Sequence, residues 1–343
     1  MITFTVFPRL RQNPNEKNNP YIENFIASLN REGESTVINP PHRNPLLSIL
    51  PPKRWGDVII FNWFESIPDF KYGLLQTVTA ICFVTVLKLA KKKIVWVLHN
   101  KKPHNDGYTG MKKFLMRFIV RKADLILTHA TEGLEIIRQR YPQASGKVHF
   151  LHHPTINRLP RQLPAENNIL YDLLIWGTIS RYKGIHEYLS YLRNHPEQHP
   201  NVCIIGRCAS ASLLKELQDK APDYVKIIPE SPSFEKLSNY VACSRFVLIP
   251  YCPDSVLSSG VLMDPLSFGA KVIGPATGSF IDYSHNSLLN VHTFKSLDDI
   301  AVILSDYKKE KASLVGYRQF LDENAWQYFG SKIIELVTKT KIT

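Results

Sequence analysis

One stretch, FVLIPYCPDSVLSSGVLMDPLSFGAKVIGPATGSF over residues 246–280, limits the choice of fold more than any other. Its apolar run 246–249, closed by Pro250, has the length of a strand buried on both faces of a parallel sheet. A polar loop, Pro253-Asp254-Ser255, follows. Ser258-Ser259-Gly260 then opens 261–268, whose apolar spacing suits a buried helix. Gly269 suits the position just past that helix, where φ > 0 is common. Lys271-Val272-Ile273 is a second strand, ended by Gly274-Pro275.

A strand that feeds a small-residue turn, and a turn that feeds a helix N-terminus, favour a phosphate. The first N–H groups of the helix lack internal partners, and the helix dipole adds positive potential. Gly260 permits close backbone approach, and Ser258 and Ser259 add hydroxyl donors. The same residues also suit a plain helix cap, and this stretch alone leaves both readings open.

The alternation of strand and helix recurs. Strands are expected at 2–7, 36–38, 57–61, 93–98, 123–129 and 147–151. After a Pro-containing polar linker at 160–168 they resume at 171–176, 202–205 and 224–228. A pattern that restarts argues two doubly wound α/β domains facing a cleft, and 343 residues are too many for one ordinary core. The expected division is 1–165, 166–321, and a closing segment 322–343 whose helix spans 324–337. Residues 73–90 are long and apolar enough to approach a membrane span. Gln76, the threonines and Lys88 favour instead a buried helix packed on the sheet. The five cysteines form no Cys-x-x-Cys and read as reduced core residues of a cytosolic protein. The N-terminus opens on strand-like sequence rather than a secretory signal.

The net charge of +12 sits in the first half. Residues 1–165 carry 24 Lys and Arg against 11 Asp and Glu, whereas 166–343 carry 18 against 19. Such a patch points to nucleic acid, anionic lipid or an anionic substrate. No helix-turn-helix or RNA-binding signature accompanies it. Residues 111–122, MKKFLMRFIVRK, place Met111, Phe114, Leu115, Phe118 and Ile119 at helical spacing, with five cations over much of the rest. This is a basic amphipathic helix, suited to an anionic membrane surface or to a core with a solvated face.

Several polar residues sit where strands end, the edge at which open α/β sheets bind ligands. Trp63 and Glu65 follow the third strand and are acceptor-side candidates, or else a rim aromatic and a solvated carboxylate. His99 ends the fourth strand and His104 lies in the loop beyond. Either suits a proton relay near neutral pH, or a hydrogen bond at a strand end. His152-His153 invites a metal reading, but adjacent residues on a strand face opposite sides and no Cys or carboxylate stands at ligand spacing. In the second half, Gly177-Thr178-Ile179-Ser180-Arg181-Tyr182-Lys183-Gly184 forms a basic turn between a strand and a helix.

Two of these turns together resemble the donor site of the retaining GT-B glycosyltransferases, family four in particular. The resemblance is best from about 170 to 282. Anchored on Gly269, Asp264 falls where the family has its ribose-binding Glu. The family's first Glu would fall at Val256, which cannot contact a sugar in that way. Lys183 matches the family's diphosphate-binding Lys. Thr178 stands in place of its Arg, with Arg181 as a substitute. The resemblance implies a nucleotide-sugar donor held by Arg181, Lys183, Gly206, Ile228, Glu230, Ser258, Ser259, Gly260, Val261 and Asp264, with the base near Ile228 and Glu230. It implies His99 or His104 facing the reaction, and a C-terminal helix crossing back to the first domain. It also implies a cytoplasmic enzyme without metal or other cofactor. The acceptor would be a glycan, lipid-linked in polysaccharide assembly at the inner face of the membrane. Two rivals remain open. A GT-B sugar-nucleotide epimerase shares the cleft but leaves the basic surface without use. A polyanion binder would show salt-dependent oligonucleotide binding and no nucleotide-sugar binding.

Overall fold

The computed structural model describes residues 1–11, 20–101, 107–160, 169–253, 256–306 and 313–341. Two compact units appear: Met1–Pro154 with Asn324–Thr343, and Thr155–Glu323. The division falls before the polar linker expected from the sequence. Arg158 N donates to Ser267 O at 3.0 Å, and Leu159 packs beside Gly269, so this segment already belongs to the second unit.

Unit 1 runs β1 Ile2–Phe7, α1 Tyr21–Leu29, β2 Ser35–Val37, β3 Val58–Asn62, α2 Gly73–Leu89, β4 Lys93–Leu98, α3 Thr109–Lys122, β5 Leu125–Thr128, α4 Thr131–Arg140 and β6 Val148–Phe150. Its six strands are all parallel, in the order β2-β1-β3-β4-β5-β6. Every residue of β3 is buried, which explains why it reads as a continuous apolar run.

Unit 2 runs β7 Tyr171–Trp176, α5 Ile185–Asn194, β8 Val202–Ile205, α6 Ala211–Lys220, β9 Val225–Ile228, α7 Phe234–Ala242, β10 Ser244–Leu248, α8 Gly260–Ser267, β11 Val272–Pro275, α9 Ser279–Ser284, β12 Val291–Phe294, α10 Asp298–Ser305 and α11 Leu314–Glu323. The sheet order is β12-β11-β10-β7-β8-β9, again parallel. The chain then returns to unit 1 as α12 Trp326–Lys339. There α12 packs on α1, and Trp326, Phe329, Ile333 and Val337 join Tyr21, Phe25 and Leu29 in one core.

Helix α2 packs on the sheet through one face only: it buries Ala80, Phe83, Val84 and Leu87 together with Gln76 and Thr77, while Leu74, Leu75, Val78, Val86 and Leu89 stay in solvent. Two other expectations need correction. Helix α3 turns Lys112 fully inward onto Asp69, at 2.7 Å, and Phe114 outward. Of the five cysteines only Cys203 is a core residue, and Cys82 and Cys252 are exposed. Among the described residues no helix is long and apolar enough to cross a membrane.

Candidate functional site

The topology of unit 2 fixes where its loops diverge. The chain steps from β7 to β8 and β9 on one side, then returns to β10 on the other side of β7. The segments that leave β7 and β10 therefore depart from neighbouring strands toward opposite faces, and a crevice opens between them at the C-terminal edge.

Both sequence motifs lie there. The turn after β7 ends at Gly184, whose φ of 69° and close approach to the strand-end loop both require glycine. A methyl group at that position would lie 1.8 Å from Pro250 O. Lys183, just before it, is buried and donates its Nζ to the Tyr251 hydroxyl at 2.8 Å. Ser259 lies close to the same phenol, and α8 starts without any side-chain cap. The indole of Trp176 donates to Val261 O at 3.3 Å and ties the end of β7 to the first turn of α8.

Asp264 stands one turn into α8, partly buried. Burial pushes its carboxyl up to about 7, against the pull of Arg158 and then Lys183. Burial likewise draws the Lys183 ammonium below the usual lysine range, which Tyr182 and Asp264 partly restore. Two cations thus face one reluctant carboxylate beside an uncapped helix start. An entering polyanion would meet positive potential that the protein itself leaves incompletely matched.

Gly206, at the end of β8, is held against the turn after β7, and a methyl group there would lie 1.8 Å from Gly177 O. Ile228 ends β9 half-buried and its carbonyl accepts from Gly206 N at 3.1 Å. Ser258 is half-buried and Gly260 is exposed. The structure thus brings Lys183, Ser259, Val261 and Asp264 together, with Gly206 and Ile228 on the adjacent strand ends. It does not bring Arg181 into that group: its guanidinium grips Glu216 at 2.6 Å and 3.4 Å on the surface. Glu230 is exposed and paired with Lys236.

Sequence reasoning missed Arg158 and Tyr251. Arg158 stacks 4.0 Å over the Phe234 ring and donates to Ser267 Oγ at 3.2 Å. Tyr251 follows Pro250 at the strand end, and that position was its only signal.

Unit 1 gathers its polar groups at the same edge. Trp63, left-handed at φ 49°, stacks on His99 at 4.3 Å. Asn62 Nδ2 donates to Phe7 O at 3.1 Å, so its oxygen accepts from His99 Nε2 at 2.9 Å. His129 donates Nδ1–H to Leu151 O at 2.9 Å, which leaves Nε2 to accept from the Tyr21 hydroxyl at 2.8 Å. The ring of His153 lies 5.1 Å from that of His129. These tautomers need no extra proton, and burial enforces that. It lowers His129 to about 3 and His153 to about 4, and holds His99 well below the ordinary histidine range. Tyr21, His129 and His153 were not singled out as partners from the sequence.

Glu65 corrects the acceptor-side expectation. Only 2% exposed, it faces the interior near Trp96 and Lys112, and burial pushes its carboxyl to about 7. His104 lies outside the described residues. Among those described, no three or more His, Cys, Asp or Glu side chains group as a metal centre requires.

No family model and no curated protein matches the sequence. Solved structures do match in fold. HepE of Anabaena, in complex with UDP, superposes with TM-score 0.64 at 13% identity, over 98% of this chain and 100% of that one. AviGT4, a glycosyltransferase involved in avilamycin A biosynthesis, gives 0.58 at 14% over 99% and 98%. MnaA of S. aureus, solved with UDP, gives 0.54 at 14% over 99% and 98%. The architecture is therefore GT-B, with two Rossmann-like α/β domains.

Proposed function

We propose that this chain is a retaining, metal-independent glycosyltransferase that moves a sugar from a nucleotide donor to a lipid-linked glycan acceptor during polysaccharide assembly. The observation that carries the reading is the meeting of Lys183 with Tyr251, Ser259 and Asp264 at the β7–β10 divergence. Breaking an anomeric C–O bond releases a nucleoside diphosphate and leaves an oxocarbenium-like centre. Charge grows on the diphosphate as the bond breaks. Lys183 and the start of α8 stabilise that charge, and preorganised groups of this kind act most strongly in a partly dry site. Asp264 holds the ribose hydroxyls. The UDP in the HepE and MnaA structures makes uridine nucleotides the first donors to test.

The basic surface of α3 suits a peripheral place at an anionic membrane on the cytoplasmic face, where a polyprenyl-diphosphate-linked acceptor would reside. The test is a donor panel with membrane-extracted lipid acceptors, read as labelled sugar appearing in the lipid fraction with its anomeric configuration kept, with and without EDTA. Retained transfer in EDTA supports the reading. Donor epimerisation without acceptor, or a loss of transfer restored only by Mg²⁺, contradicts it.

A further inference from the structure

The outer surface of unit 1 carries a helix that is apolar on two faces. On α2 the buried side holds Ala80, Phe83, Val84 and Leu87 with Gln76 and Thr77, while Leu75 is 68% and Leu89 is 79% exposed. Leu75, Val78, Cys82, Val86 and Leu89 follow one another at helical spacing and are all exposed, a stripe about 21 Å long at 1.5 Å per residue. Core packing accounts for the buried face of α2 and does not explain a second apolar stripe turned to water. Contiguous exposed apolar surface of this kind marks an interaction site.

Helix α3 lies beside it. The β3–α2–β4 and β4–α3–β5 connections step in the same direction, and right-handed crossovers put both helices on one face of the sheet. The two helices touch each other. Phe114, Arg117, Phe118, Arg121 and Lys122 line a hollow of about 300 Å³ on α3. Neither helix contains an Asp or Glu.

We infer that the α2 stripe and the α3 cations together dock unit 1 on an anionic lipid bilayer, the α2 aliphatics entering the headgroup boundary while Arg117, Arg121 and Lys122 hold lipid phosphates. The charge pattern selects this occupant. A second copy meeting the same face about a two-fold axis would set one cation row against another. A bilayer supplies phosphates in a plane and an apolar layer beneath them, matching both parts of the surface. This deepens the membrane part of the reading above, and assigns insertion to α2, which the sequence placed in the interior.

The experiment uses the full chain and vesicles of phosphatidylcholine with or without phosphatidylglycerol. Wild-type protein should sediment only with the anionic vesicles, and less as salt rises. Leu75→Glu with Val86→Glu should weaken binding by roughly tenfold or more. Arg117→Glu with Arg121→Glu should weaken it by on the order of 30-fold or more. Leu170→Glu, an exposed apolar position of unit 2, should bind vesicles as wild type. A polarity-sensitive dye on Cys82, in a Cys252→Ser background, should shift to shorter wavelength when anionic vesicles are added. UDP affinity and melting temperature measured beside these separate lost docking from lost folding, and leave the sugar-transfer reading to its own assay. The inference is overturned if wild-type protein stays in the supernatant at low salt, or if the α2 variant binds like wild type. It is overturned equally if ultracentrifugation without lipid shows a dimer that the α2 variant abolishes, or if the stripe proves to bind an acidic protein and not vesicles.

Discussion

Under the proposed function, Lys183 and Asp264 share a site but hold groups with different fates in the reaction. The diphosphate gains charge as the sugar leaves, whereas the ribose does not. Lys183→Ala should therefore lower kcat by about 10²–10³, the usual effect of removing one such contact. Asp264→Asn should mainly raise the donor KM. Steady-state kinetics beside melting curves checks this; wild-type kinetics in stable variants would mark both side chains as structural. Asp264 also sets a pH trend. Its carboxyl keeps a proton up to about pH 7 in the folded protein, but loses it near 4 when unfolded. The folded state thus gains stability below about pH 4 and loses it as pH rises through 7, by at most about 1.4 kcal/mol per pH unit. Asp264→Asn should lack that decline, seen as a flatter urea midpoint between pH 4.5 and 7.5. Lys183 was legible in the sequence as the last cation before a glycine turn. Arg158 was not, because its meaning lies in contacts with Ser267, 109 residues away.

At the scale of elements, buried parallel strands are legible because both faces demand apolar side chains, and the continuous runs at β3, β8 and β10 show it. Helical spacing is a weaker guide. It finds apolar positions without saying which of them the fold covers, so α2 reads as wholly interior and Lys112 as solvated, whereas the structure covers only one face of α2 and buries Lys112. The strand-end turns depend on close backbone contact. Gly206→Ala would press a methyl group against the Gly177 carbonyl. Overpacking there should cost about 1–3 kcal/mol and displace the turn that carries Lys183. Chemical denaturation should register the stability loss, and calorimetry a weaker UDP affinity; a variant with wild-type values of both would show that the contact is not required.

Across the whole molecule, the two units respond to acid for different reasons. His99, His129 and His153 are neutral and buried in unit 1, and each must take up a proton on unfolding below about pH 6.5. The stability they contribute is present above that pH and is lost as pH falls toward 3–4, the opposite sense to Asp264. Unit 1 should therefore lose its protection first on acidification, measured by hydrogen exchange in β4 and β5 between pH 6.5 and 4.5. Replacing His129 with Phe should shallow that fall, and equal loss in both units would contradict it. The two-unit plan was legible because the strand–helix pattern restarts. The histidine cluster was not, because its members meet only when three strand ends align. The central claim is that the β7–β10 divergence is a nucleoside-diphosphate site, and titration calorimetry of UDP against uridine tests it most directly. Wild-type protein should bind UDP much more tightly than uridine, and Lys183→Ala should erase most of that difference while leaving uridine affinity unchanged. Equal affinity for UDP and uridine in the wild type, or an unchanged UDP preference in Lys183→Ala, would contradict the claim.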